Sequence, residues 1–207
     1  MKAIRNFQGR KYYKQIVKNW TRPNITSNGE LGGSRFAVSP NRENASYMPA
    51  NFGGKAWQAF DGNSTTGWGT WSQSASVHYI IIYIPIPICI TRMQLSFASS
   101  TADTGGHSHN YVSASNDGDN WTQIYSHDGT ISDLVISNSK YYQYYKLDIR
   151  TPGGDDHDAI GIYECKITAT YKEIVEGTAG DYTYYQTFEE CSVFKKGNRL
   201  YAQKETS

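Results

Sequence analysis

The stretch from Val77 to Phe97 constrains the fold more than any other part of the chain. Val77, Tyr79, Ile81 and Tyr83 alternate with His78, Ile80, Ile82 and Ile84. Branched and aromatic side chains on both faces of an extended segment specify a central strand covered on both sides, since either face left in water would expose a continuous apolar strip. Pro85 and Pro87 then remove two backbone donors, so the ladder is interrupted and the chain must turn a corner. Beyond the corner, Thr91, Met93, Leu95 and Phe97 resume the two-residue period. The apolar run is too short for a bilayer and both prolines break it, so it reads as core strand and no membrane insertion is expected.

Other segments repeat the pattern on a smaller scale. Phe36–Ser39 is the first strand of the sheet system, and Tyr111–Ser115 and Trp121–Tyr125 flank a turn at Asn116–Asn120. Several short strands separated by turn residues, without helical periodicity, specify an all-β sandwich. The 14% aromatic share, including 17 tyrosines, favours strands as well. Lys11–Trp20 fits either a short helix or a strand. Asn41–Gly54 reads as a long loop, with Tyr47, Met48 and Phe52 either on its rim or tucked beneath it. Lys172–Gly180 reads as a linker, followed by strand-like Tyr182–Phe188 and Cys191–Phe194 and a hairpin turn at Lys195–Asn198.

Charge and cysteine usage narrow the function classes. With a net charge of +1 the molecule has no electrostatic footprint for nucleic acid. The basic residues of the first eighteen positions (Lys2, Arg5, Arg10, Lys11, Lys14 and Lys18) form an arm with no acid. Three cysteines at Cys89, Cys165 and Cys191 lack metal-ligand spacing and do not make a stapled framework. Cys89, inside an apolar strand, is expected to be a buried small hydrophobe. No apolar leader segment is visible at the N-terminus.

A second stretch carries the site chemistry. Trp57, Phe60, Trp68 and Trp71 bracket a turn in which Asp61, Asn63, Thr65 and Thr66 present oxygens, and Asp61-Gly62 is itself a strong turn signal. A hard cation such as calcium, which takes roughly six to eight oxygen ligands, would suit these donors. The alternative is that the carboxylate and hydroxyls satisfy turn amides.

Ala59-Phe60-Asp61-Gly62-Asn63-Ser64-Thr65-Thr66-Gly67-Trp68 resembles the signature loop of the discoidin, or coagulation factor 5/8 type C, domain. The strand pair His78–Phe97, the segment Val112–Thr122 with its Ser-x-Asp-Gly-x-x-Trp pattern, and Tyr141–Ile149 and Ala159–Glu164, which resemble its closing strands, follow in that family's order. The resemblance covers Trp20–Tyr171. It implies a galactose-binding-like β-sandwich, or jelly roll, over 20–171; outside it, the charge pattern marks a basic N-terminal arm at 1–19 and the composition shift a β-rich attachment tail at 172–207. It also implies a structural Ca2+ held by the Asp61 and Glu164 carboxylates, oxygens of Asn63 and Thr66, and a main-chain carbonyl near Ala59. Asn63 stands where many members carry a second Asp, which lowers the charge of the site. The implied glycan face draws on Trp57, Trp71, His78, Arg92, His107, His109, Asn110 and Tyr111, since sugars bind through aromatic stacking and fixed polar groups. One of Trp57 and Trp68 is expected to fill the core instead.

His107-Ser108-His109, with His157 and Asp155, Asp156 and Asp158, fixes no third ligand for a transition metal and reads as polar loop. Nucleophile elbow, metalloprotease helix and phosphate loop are absent from the sequence, so a non-catalytic module is expected. Its expected partners are a cell-surface glycan, other virion proteins reached through the terminal extensions, and further copies of itself in a homo-oligomer. The expected setting is a phage virion made in the host cytoplasm. The alternatives are a purely structural particle protein and an accessory module of a glycoside hydrolase.

Overall fold

The computed structural model describes residues 12–43, 52–72, 77–98, 109–150 and 158–177. Their strands are β1 (Tyr12–Trp20), β2 (Ala37–Pro40), β3 (Gly53–Gly54), β4 (Gly67–Ser72), β5 (Val77–Phe97), β6 (His109–Ser115), β7 (Thr122–Asp128), β8 (Asp133–Val135), β9 (Tyr142–Arg150) and β10 (Asp158–Gly177). A 3-10 turn, Ala56–Phe60, lies between β3 and β4. The architecture is the all-β sandwich expected from the sequence.

β5 is the middle of both layers. Its first half pairs with β2 on one edge and β9 on the other, so that Ile80 faces Pro40 and Leu147, and Ile82 faces Val38 and Tyr145. Its second half pairs with β10 and β8, with Met93 opposite Ile167 and Leu134. Between the halves the register with β9 jumps from Tyr83 to Ile88, and Pro85, Ile86 and Pro87 lie at the corner. β6 and β7 extend the first layer beyond β9, and β4 and β3 extend the second beyond β10. Ile80, Ile82, Ile84, Ile88, Ile90, Met93 and Leu95, all from this one strand, contribute to the core together with Trp68, Phe60, Val112, Leu147 and Ile162.

Side chains of β9 hold the corner in place. Tyr145 is fully buried and its hydroxyl donates to the Ile88 carbonyl at 2.5 Å, while Gln143 Nε2 donates to the Pro85 carbonyl at 2.9 Å. Burial pushes the Tyr145 phenol well above its usual range, so it stays neutral and keeps its proton to donate. Cys89 is buried as expected, with Sγ 3.3 Å from the Asn138 carbonyl.

The chain divides into two compact units, Asn19–Tyr171 and a second composed of Met1–Lys18 with Lys172–Ser207. In the second unit the described residues are strand. Lys11–Trp20, open to helix or strand from its sequence, is β1 from Tyr12 onward and pairs with β10. The linker expected from Lys172 is corrected: β10 continues to Gly177, because a strand partner satisfies a backbone that looked unsupported in one dimension. The strand-like tail segments beyond Gly177 lie outside the described residues, as do Tyr47 and Met48. Phe52 takes the tucked alternative, buried edge-on against Tyr163 with ring centroids 5.0 Å apart.

The β6–β7 turn shows how local chemistry fixes a connection. Asp117 accepts the Asp119 and Asn120 backbone N–H groups at 2.9 and 2.8 Å, and its carboxylate also meets Asn120 Nδ2 and Ser115 Oγ at 2.8 Å each. Gly118, next to it, has φ +83°, a conformation that L side chains rarely adopt. The Asn120 amide, followed by the backbone donors and Ser115, holds the Asp117 carboxyl well below its usual range. A depressed carboxyl contributes stability above its unfolded pKa, near about 4, and loses it as pH falls toward the folded value. The melting difference between the native chain and Asp117→Asn is therefore expected to be largest at neutral pH and to shrink in acid. A pH series of thermal melts checks this, and a pH-independent difference would contradict it.

Candidate functional site

One end of the sandwich gathers strand ends that are far apart in sequence. His109 on β6 is in register with Asp128 on β7 and Arg150 on β9, and Arg150 is in register with Val77 at the start of β5. One step inward, Tyr111 lies opposite Ser126 and Asp148, and Asp148 opposite Tyr79. Alternation along each strand puts both rows on the same outer face.

His109 and Tyr111 stack with ring centroids 5.7 Å apart and planes 5° from parallel. The Arg150 guanidinium lies over the Tyr111 ring at 5.0 Å and its Nε reaches Asp148 Oδ1 at 3.4 Å. His109 Nε2 is 3.3 Å from Asp128 Oδ1, whose side chain is 86% exposed. Lys146, in the next row, reaches over Trp121 at 5.0 Å and Tyr79 at 5.6 Å. The result is a set of half-exposed rings with two cations and two carboxylates, all on strands except Trp121, which immediately precedes β7. Such an array can stack on an apolar face of a ligand and offer donors and acceptors to hydroxyls at its edge.

Of the residues expected on the glycan face, the structure brings His109 and Tyr111 together. Arg150, Asp148, Asp128, Lys146 and Trp121, which the sequence did not single out, gather around them; the same-face alternation of β6 and β9 carries the signal, but their pairing register is needed to see it. His107 lies outside the described residues, and so does the side chain of Trp71, whose backbone is in β4. His78 is corrected to the core: it is fully buried, with Nδ1 3.0 Å from Thr70 Oγ1, because it sits on the inward face of β5. Arg92 is mid-strand, where its guanidinium grips both Asp133 oxygens at 2.6 Å. Trp57 packs partly buried on the core and its backbone N–H donates to Asn28 Oδ1, while Trp68 is fully buried with its indole N–H on the Arg42 carbonyl. A separate cleft of about 480 Å³, lined by Trp20, Ile25, Phe36, Ile84 and Ile86, opens at the Pro85 corner and contains none of the expected contact residues.

The residues expected to hold calcium do converge. Asp61 Oδ2 accepts the Thr66 hydroxyl at 2.8 Å and Oδ1 accepts the Asn63 N–H at 2.7 Å, while the Asn63 carbonyl is 3.5 Å from Thr66 Oγ1. Glu164 on β10 is buried, and burial, opposed by Arg22 and assisted by the Asp61 charge, raises its carboxyl above the usual range. Ala59 is fully buried one residue before Phe60. The cation at this junction is the Arg22 guanidinium, which donates to the Phe60 carbonyl and to Glu164 Oε1. With those oxygens taken and both Asp61 oxygens occupied by turn donors, this arrangement does not fit a calcium shell. Among the described residues no three His, Cys, Asp or Glu side chains gather as a metal cluster.

Residues 42–154 match the family model for the F5/8 type C domain, so this chain belongs to that family. Among solved structures it resembles the C-terminal domain of a chitobiase from Bacteroides fragilis, at 22% identity over 72% of this chain and 99% of that one, with a TM-score of 0.51. It also resembles CpGH89CBM32-5 from Clostridium perfringens in complex with GalNAc-β-1,3-galactose, at 18% identity over 64% and 92% of the two chains, with a TM-score of 0.50. At these identities the likeness is one of fold. No curated protein matches the chain.

Asn110, expected to contact ligand, is instead a structural tie: fully buried on β6, it donates from Nδ2 to the Gly129 carbonyl at 2.6 Å beyond the end of β7. Asn110→Ala should lower the unfolding free energy by about 1–3 kcal/mol, since the Gly129 carbonyl loses its donor. Urea denaturation measures the change, and an unaltered midpoint and slope would return Asn110 to the list of contact residues.

Proposed function

We propose that this chain is a non-catalytic carbohydrate-binding module whose contact surface is the end of the sandwich bearing His109, Tyr111 and Arg150. The stacked His109–Tyr111 pair under the Arg150 guanidinium carries the reading. Sugars present C–H faces that stack on aromatic rings and hydroxyls that need donors and acceptors at fixed positions. Tyr111 and His109 offer the rings, Arg150 the donors and the exposed Asp128 carboxylate the acceptors, while the buried Asp148 holds Arg150 in place. Because the strand ladders fix all five backbones, little ordering entropy is lost on binding. Membership of the F5/8 type C family and the GalNAc-β-1,3-galactose bound to CpGH89CBM32-5 support the ligand class.

The proposal extends to setting: a virion protein that oligomerises and assembles through its terminal segments and presents this end to host glycans. The chitobiase neighbour favours the other reading, an accessory module of a glycoside hydrolase. Light scattering on the full chain separates them, since a plain monomer counts against the virion assembly.

A glycan array followed by calorimetry on the best ligand tests the contact surface. Tyr111→Ala and Arg150→Ala are each expected to weaken binding at least tenfold, about 1.4 kcal/mol, with unchanged far-ultraviolet circular dichroism. An array without hits, or full affinity in both variants, would sink the proposal.

A further inference from the structure

Arg22 lies between β1 and β2, in a segment that no strand ladder holds. Its side chain is nevertheless only 10% exposed, and among the described residues its polar contacts gather at one junction. Nη1 donates to the Phe60 carbonyl, which also accepts the Ile25 N–H at 3.2 Å, and lies 3.3 Å from the Pro23 carbonyl. Nη2 donates to Glu164 Oε1, and the guanidinium carbon lies 5.6 Å from the Phe60 ring centroid. Three segments distant in sequence therefore meet on one planar cation: the lead into β2, the end of the 3-10 turn and the middle of β10.

We propose that Arg22 is the resident cation of this junction, fastening the Asp61 turn to Glu164 in place of a divalent metal ion. A guanidinium keeps its charge at all accessible pH values and presents donors in a fixed fork, so it can satisfy a carbonyl and a carboxylate at once. A metal ion at the same point would need the Glu164 and Phe60 oxygens that Arg22 already uses. The remaining oxygen, Glu164 Oε2, is buried with no hydrogen-bond partner, and the Asp61 carboxylate is close by. Removing the guanidinium would leave the buried Glu164 carboxylate, already opposed by the Asp61 charge, without its hydrogen-bonded partner and with Lys166 as the remaining cation acting on it, which costs a buried site dearly. The vacated space would then hold the oxygen donors that suit Ca2+. The inference is independent of the glycan reading.

Thermal melts of the full chain in EDTA and in millimolar CaCl2 test it. The native chain is expected to melt at the same temperature in both. Arg22→Gln is expected to melt roughly 10 °C lower in EDTA and to regain much of that loss in CaCl2. Arg22→Lys, which keeps the charge without the fork, should lie between them and gives a folded reference if Arg22→Gln does not fold. A native midpoint that falls in EDTA and returns with Ca2+ would overturn the proposal, because a metal ion would then be the fastening. So would an Arg22→Gln chain that melts with the native one in EDTA.

Discussion

A single strand that is central to both layers is the constraint on which the rest of the molecule depends. β5 supplies the inner residues of one sheet, turns at Pro85–Pro87, and supplies those of the other. Both prolines lack an N–H, so the corner leaves acceptors but few donors to satisfy. Gln143 and Tyr145 satisfy the Pro85 and Ile88 carbonyls from β9. The corner is thereby tied to a strand that also pairs with the first half of β5, which couples the angle between the layers to the register within one of them. A one-residue slip of β9 would move both phenol and amide off their targets and turn its buried face outward.

Polar side chains organise the connections with the same economy. Asp61, Asn63, Asp117 and Asn138 each accept a backbone N–H two residues ahead, a local bond that stabilises a turn without long-range partners. Glu43 does the equivalent over distance. Its carboxylate accepts from Asn28 Nδ2 and the Ala56 N–H and pairs with Lys55; although burial opposes ionisation, these donors together lower its pKa. Asn28 in turn accepts the Trp57 N–H, so the start of the 3-10 turn is fastened to the segment before β2. These bonds explain why an oxygen-rich turn can be rigid on its own account. The donor set that suggests a metal ion in the sequence is largely occupied by its own backbone and by Arg22.

The family resemblance located the Asp61 turn, the β6–β7 hairpin and the closing strands in their correct order, and the period-two pattern located β5 and its corner. It did less well with individual side chains. His78 and His109 are both histidines beside strand residues, yet one is sealed against Thr70 and the other stacks in the open on Tyr111. Asn110 and Tyr111 are neighbours, and alternation sends one into the core and the other to the surface. Arg92 looked available and is engaged by Asp133 across the β5–β8 ladder.

The sequence by itself determined the central strands, the corner and the turns, because each depends on interactions within a few residues: side-chain alternation, a missing N–H, a carboxylate reaching its own backbone. β1, β3 and the end of β10 needed their strand partners to be seen. Only the tertiary structure decided which polar groups face one another. Arg22 and Glu164 are 142 positions apart, and His109 meets Arg150 through a register that no local pattern encodes. A residue's chemistry fixes what kind of partner it needs, whereas the packing of two sheets, with its demand that buried charge be matched, fixes which partner it finds.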